Sequence, residues 1–145
     1  MQLSSSQIAE FDGRGYIVIP NLLNQKEVKI LQNAVPEILA RTGPEVVREA
    51  ENNEAVRLAF GPHIYSEPFI RLSQLPRILH PVRALLRDEV YIHQSRLNPK
   101  PGFGTGGGWE WHQDFGYWYD NFLRADMASC MIAVDQATVE NGCLQ

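Results

Sequence analysis

The first forty residues alternate polar and apolar positions in two patterns typical of short capped helices. Ser4 and Gln7 stand three positions apart ahead of apolar residues, and Asn24 and Glu27 repeat the arrangement, which is the spacing of a capping box. Between the two helices, residues 16–19 form an apolar run closed by a proline, which predicts a strand.

The second of these helices carries an apolar stripe at helical spacing, and the stripe should face the core. Its members are Val28, Leu31, Val35 and Ile38. Pro36 lies within the same stretch and is expected to kink or split the helix, because proline has no N–H and its ring collides with the preceding turn.

The remainder of the chain changes from helical to extended patterns. Residues 42–54 are polar and weakly periodic, which predicts a surface excursion, and residues 67–87 look helical with interruptions at Pro76 and Pro81. Three extended patterns follow, at residues 90–98, 109–114 and 128–134. Helices first and strands later predict an α+β fold whose sheet is built mainly by the C-terminal part.

Composition narrows the class of function without identifying it. Apolar residues make up 44% of the chain and charged residues 21%, as in ordinary globular proteins, and 145 residues are enough to bury one core. The net charge of -4 argues against nucleic acid and anionic membranes as partners, and it leaves open a local basic pocket for a small anion. Cys130 and Cys143 form no disulfide framework, so a cytoplasmic location is expected.

The segment from Trp109 to Phe115 carries the strongest candidate chemistry. In an extended stretch, residues two apart face the same way, so His112 and Asp114 can converge on one ion. Imidazole plus carboxylate suits a divalent first-row metal, and a second histidine would complete a facial triad with open positions. The same spacing also fits a strand-end histidine hydrogen-bonded to an aspartate, so the pair alone does not decide between the two interpretations.

Several motifs in order resemble the phytanoyl-CoA dioxygenase family, and the HQDF-x-Y-W stretch looks like its ectoine-hydroxylase branch. They are the stretch from Val90 to Lys100, the glycine-rich stretch after it, the Trp111–Asp114 motif, the Ala137–Gln145 end and the N-terminal Gly13-x-Gly15-Tyr16-x-Val18-x-Pro20 pattern. The resemblance implies a double-stranded β-helix, or jelly roll, that uses Fe(II), 2-oxoglutarate and O2 to hydroxylate an unactivated carbon of a small or medium organic substrate, so a small-molecule substrate is the expected partner. It implies that His112 and Asp114 are the first two iron ligands and the catalytic pair. Related halogenases have a small residue at the position of Asp114, so its presence here favours hydroxylation.

The polar strand supplies further candidate residues. Gln94, Arg96, Asn98 and Lys100 fall on one parity of an extended chain, as expected for the wall of a barrel that binds a polar ligand. By resemblance, Lys100 matches a lysine that contacts 2-oxoglutarate, and Asn98 is assigned to the same cosubstrate. Gln94 matches a substrate contact, and Arg96 is assigned with it. A solvated strand face is the alternative interpretation of all four.

An aromatic cluster follows the metal pair. By resemblance, Trp118 matches a substrate-contacting tryptophan, and ordinary core packing is the alternative interpretation. The glycines from Gly102 to Gly108 match no phosphate-binding pattern and are interpreted as a mobile lid.

The family pattern breaks at the end of the chain. A Pro-Gly-Ser-His segment, a second metal histidine and an arginine for 2-oxoglutarate would follow Asn141-Gly142, and no histidine follows His112. Residues 1–145 are therefore expected to be one domain, the front portion of a dioxygenase fold incomplete at its C-terminus. The alternative is a catalytically silent binding or assembly module. Because both faces of the 128–134 pattern are apolar, a homo-oligomer or strand exchange is expected if the chain is complete.

Overall fold

Six helices and a three-stranded sheet form the described part of the chain in a computed structural model, which covers residues 1–49, 55–100, 111–118, 120 and 126–144. In chain order the elements are α1 (Ser5–Arg14), α2 (Gln25–Leu39), β1 (Val46–Arg48), β2 (Val56–Phe60), α3 (Pro62–Tyr65), α4 (Glu67–Ser73), α5 (Pro76–Leu86), β3 (Arg96–Leu97) and α6 (Asp114–Trp118). Helices with a small antiparallel sheet agree with the expected α+β class.

Both predicted capping boxes are confirmed at the starts of α1 and α2. The Ser4 hydroxyl accepts from the backbone N–H of Gln7 at 3.2 Å, and the Gln7 side chain accepts from the Ser4 N–H at 2.9 Å. Asn24 and Glu27 make the same reciprocal pair, with distances of 3.0 and 2.8 Å. Each box satisfies two N–H groups that the first helical turn leaves without partners.

Helix α2 runs unbroken through Pro36, so the predicted split is wrong. Proline removes one N–H from the helix, but the next turn still closes because Ala40 N–H donates to the Pro36 carbonyl at 3.0 Å. The apolar stripe faces inward as predicted: Leu31 and Ile38 are only 3% and 2% exposed. Burial of that stripe outweighs the loss of a single backbone bond.

Strand β2 lies at the centre of the sheet, whose order is β1-β2-β3 with both pairings antiparallel. Ala59 pairs with Val46 on one side and with Leu97 on the other, and it is fully buried. The hydrophobic core therefore forms between this strand and helices α2 and α4. Its buried members are Leu31, Ile38, Ala59 and Phe69.

Strands β1 and β2 lie where the sequence pattern predicts no strand. Residues 42–54 have the polar pattern of a surface excursion, but Val46–Arg48 pairs with β2 through a register shift between Val47 and Arg48. Three residues are too few to show a period, so only the pairing reveals the strand. The predicted break in the long helical stretch is confirmed at Pro76, which begins α5, while Pro81 lies inside that helix.

The predicted C-terminal sheet is wrong for the described residues. No strand is formed at residues 16–19, 111–114 or 128–134, and only Arg96–Leu97 of the 90–98 pattern pairs with another strand. Apolar alternation favours an extended chain, but a strand also needs a neighbour that takes up its backbone hydrogen bonds. Residues 109 and 110 and the glycines of the expected lid lie outside the described residues.

Residues 126–144 pack on the fold without joining the sheet. Val134 contacts the core cluster, and its carbonyl accepts from the side-chain amide of Gln32 at 3.1 Å. A turn closes the segment, since Asn141 accepts from the Thr138 N–H at 2.7 Å. Among the helices of the described ranges, none has the length and apolar character needed to cross a lipid bilayer.

Candidate metal centre

His112 and Asp114 are brought together at the start of α6. Residues 111–113 have no regular secondary structure, and Asp114 is the first residue of the helix. The predicted strand end is therefore replaced by a helix start, but the two side chains still converge: His112 Nε2 lies 3.3 Å from Asp114 Oδ1. The pair thus places a nitrogen and an oxygen donor side by side.

The two oxygens of Asp114 have different neighbours. The Ser129 hydroxyl donates to Oδ2 at 3.0 Å, while Arg96 Nη2 lies 3.6 Å from Oδ1, the oxygen that faces His112. The carboxylate is therefore the point at which three separate segments meet: β3, the start of α6 and residues 126–144. Ser129 was not predicted, because no local spacing links it to a residue 15 positions earlier.

The three charged or titratable side chains of the site are partly exposed to solvent. The side chains of His112, Arg96 and Asp114 are 30%, 37% and 40% exposed. Ion pairs at this degree of exposure are screened by water and contribute little to stability. This arrangement gives a small ligand access to the donor atoms and adds little to the stability of the fold.

The donor set fits a divalent first-row metal in part. Two ligand atoms about 2.1 Å from one ion and at right angles to each other lie about 3.0 Å apart, close to the separation found here. Imidazole and carboxylate are also the right donor types for a non-haem iron centre. Within the described ranges, however, no group of three His, Cys, Asp or Glu side chains is assembled, so this part of the chain supplies two ligands.

The predicted polar face around β3 is visible in the burial pattern. Exposed and partly buried residues alternate from 94 to 100, with Gln94, Arg96, Asn98 and Lys100 on the exposed side. Leu97, on the opposite side, packs against the core. Since Arg96 reaches Asp114, this exposed face borders the candidate metal centre at Arg96. Their assignments to substrate and 2-oxoglutarate stay predictions.

A histidine outside the motif holds the start of this segment. His63 Nδ1 lies 2.5 Å from the Ser95 hydroxyl, and the Gly61 N–H donates to the Ser95 carbonyl at 2.8 Å. Gly61 has φ of 69°, a left-handed conformation in which glycine is unstrained. The turn before α3 therefore fixes the residue next to Arg96. Trp118 lies in α6, and its predicted substrate contact stays a prediction.

Comparison with known proteins finds a matching family profile and relatives named as dioxygenases and hydroxylases. The family profile described as phytanoyl-CoA dioxygenase (PhyH) matches residues 11–145. The ectoine dioxygenase of Sphingopyxis alaskensis is 39% identical over 146 aligned positions, which cover 97% of this chain and 47% of that protein. The L-proline trans-4-hydroxylase of Streptomyces griseoviridis is 35% identical, over 90% of this chain and 49% of the relative.

Solved structures agree with these relatives. EctD from S. alaskensis, crystallised with 2-oxoglutarate and 5-hydroxyectoine, matches with a TM-score of 0.75 and 42% identity, over 81% of this chain and 42% of that one. The same protein with bound Fe matches with a TM-score of 0.74. The chain spans about half the length of the curated relatives it matches.

Proposed function

This chain belongs to the phytanoyl-CoA dioxygenase family, and from that membership we propose that it is the N-terminal portion of an Fe(II)- and 2-oxoglutarate-dependent hydroxylase. The observation that carries the proposal is the 3.3 Å separation of His112 Nε2 and Asp114 Oδ1 inside the family match. Residues 1–145 would form one domain of the family's jelly-roll fold, completed by a C-terminal half like that of the relatives.

In this function His112 and Asp114 would hold the iron, with a further ligand from outside the described residues. Bound iron supplies the activation of O2 at positions that the protein leaves open. In the overall reaction, one oxygen atom of O2 is inserted into a substrate C–H bond, which becomes C–OH. The other oxygen enters succinate as 2-oxoglutarate loses CO2. Asp114 occupies the position that halide would need, which favours hydroxylation over halogenation.

The exposed face of residues 94–100 is proposed to bind the two organic molecules. Lys100, with Asn98 beside it, would bind 2-oxoglutarate, since an ammonium group can pair with a carboxylate. Gln94, Arg96 and Trp118 would contact the substrate. Two relatives are named for ectoine and L-proline, so we propose a small polar substrate of that size.

One observation favours a second candidate, a catalytically silent binding module. The described residues bring together two possible metal ligands and no third. Such a module would keep the fold's opening and bind a metal weakly, without turnover.

Turnover measurements separate the two. The natural protein that carries this chain is incubated with Fe(II), O2 and 2-oxoglutarate, with and without ectoine or L-proline, and succinate is followed by NMR. A hydroxylase forms succinate that depends on Fe(II) and rises with substrate, and the Asp114→Ala variant forms none. Absence of succinate from the natural protein under every condition, despite a cooperative melt, would favour the silent module.

A further inference from the structure

We propose that Ser129 is a positioning residue for Asp114: its hydroxyl holds Oδ2, so that Oδ1 is presented to a divalent metal beside His112. The inference rests on the proposed function and deepens it, because it concerns how the metal site is shaped. An ionised carboxylate offers two equivalent oxygens, and something must decide which of them faces the metal.

The contacts of Asp114 supply that decision. Oδ2 accepts from the Ser129 hydroxyl at 3.0 Å, which takes up this oxygen and fixes the rotation of the carboxylate plane. Oδ1 faces His112 Nε2 at 3.3 Å and also lies 3.6 Å from Arg96 Nη2. A metal on the His112 side would therefore meet a single oxygen of Asp114, and the facial arrangement would keep its other positions open.

Ser129 can hold the Asp114 carboxylate in place because residues 126–144, which include Ser129, are attached to the core at another point. Gln32 Nε2 donates to the Val134 carbonyl at 3.1 Å and to Asp135 Oδ1 at 2.9 Å, and Val134 packs against the buried core. Val134 lies five positions after Ser129 in the chain. The position of the hydroxyl is thus linked to α2, the longest helix, rather than to the metal motif itself.

A role as a metal ligand fits Ser129 less well. A neutral hydroxyl that donates a hydrogen bond to Asp114 is not among the ligand groups typical of a facial iron site. Residues that hydrogen-bond ligating carboxylates orient them, and their removal typically lowers metal affinity about 10–100-fold. That range defines the expected effect.

The test titrates the natural protein that carries this chain with Mn(II) and follows free Mn(II) by electron paramagnetic resonance. Four variants are compared: Ser129→Val, Ser129→Thr, Ser129→Ala and, as a remote serine-to-alanine control, Ser5→Ala. Threonine and valine have the same shape, so only the hydroxyl distinguishes them. A thermal melt by circular dichroism accompanies each titration.

We expect valine and alanine at position 129 to raise the Kd for Mn(II) about 10–100-fold. Threonine should stay within about threefold of the parent, since it keeps the donor, and Ser5→Ala should match the parent. Equal affinities for the threonine and valine variants, whether both match the parent or both are weak, would overturn the inference.

His112→Ala and Asp114→Ala separate failure of this inference from failure of the proposed function. If both abolish Mn(II) binding while Ser129→Val does not weaken it, the metal site stands and the role of Ser129 is wrong. If neither affects binding, the metal site itself is wrong.

Discussion

Gln32 and Val134 lie 102 positions apart, yet the side-chain amide of Gln32 donates to the Val134 carbonyl at 3.1 Å. The same nitrogen lies 2.9 Å from a carboxylate oxygen of Asp135. One polar side chain on α2 therefore attaches residues 126–144 to the core helices. The chain end that carries Ser129 is held by this contact and by the packing of Val134 rather than by strand pairing.

Replacing Gln32 with Ala should lower the free energy of unfolding by about 1 kcal/mol, because a partly buried hydrogen bond is lost and a carbonyl loses its partner. Urea unfolding measures the change. Gln25→Ala, at the exposed start of the same helix, should change stability much less. Equal effects at both positions would mean that the contact does not hold the segment.

Replacing Asn24 with Ala should destabilise the chain by about 1 kcal/mol, because the Asn24 side chain accepts from the N–H groups of Lys26 and Glu27. Asn24→Ser keeps an acceptor and should retain most of the stability. Asn33→Ala lies on the exposed side of α2 and should not destabilise it, since alanine is the better helix former. Urea midpoints for the three variants give the comparison.

Stability should fall in acid partly through Glu27. Hydrogen bonds from the Asn24 N–H and from Arg77 lower the pKa of the Glu27 carboxyl below its usual 4.5. A carboxyl with a lowered folded-state pKa adds stability that is present above its unfolded pKa and is lost as pH falls through the folded value. Glu27→Gln should therefore reduce the loss of stability between neutral pH and pH 3, measured as urea midpoints. Identical pH slopes for parent and variant would contradict this account.

Arg96 should disfavour the metal electrostatically. Its guanidinium lies 3.6 Å from Asp114 Oδ1, the oxygen that would bind the ion, and two cations at one carboxylate repel each other. Arg96→Met keeps the aliphatic stem and should tighten Mn(II) binding up to about fivefold, a modest effect because the groups are partly exposed. Arg96→Lys keeps the charge and should match the parent. Weaker binding in Arg96→Met would show that the guanidinium supports the site.

Lys100→Ala should weaken binding of 2-oxoglutarate and spare Mn(II). Loss of one charge partner of a carboxylate is expected to raise the Kd for 2-oxoglutarate about tenfold or more. Calorimetric titration of the metal-loaded natural protein measures it, with Lys29→Ala on α2 as an exposed lysine control. Unchanged affinity for 2-oxoglutarate would mean that Lys100 is part of a solvated strand face.

Sequence alone determined the features whose partners are near neighbours. The capping boxes at Ser4 and Asn24 involve residues three positions apart, and the helix boundary at Pro76 follows from the geometry of one residue. The approach of His112 and Asp114 is likewise a contact between residues two positions apart. The two side chains meet at a helix start instead of a strand end. Residues two positions apart can stay close in either element, so the contact forms although the predicted element does not.

Tertiary structure decided the rest. Strand β2 became central through pairing with β1 and β3, and Pro36 was tolerated because the apolar face of α2 is buried. The contacts of Asp114 with Ser129 and Arg96 join positions 15 or more apart. A local pattern encodes no information about which distant backbone will supply a hydrogen-bond partner. Closing such loops depends on the free energy of the whole core, and not on the preference of any one segment.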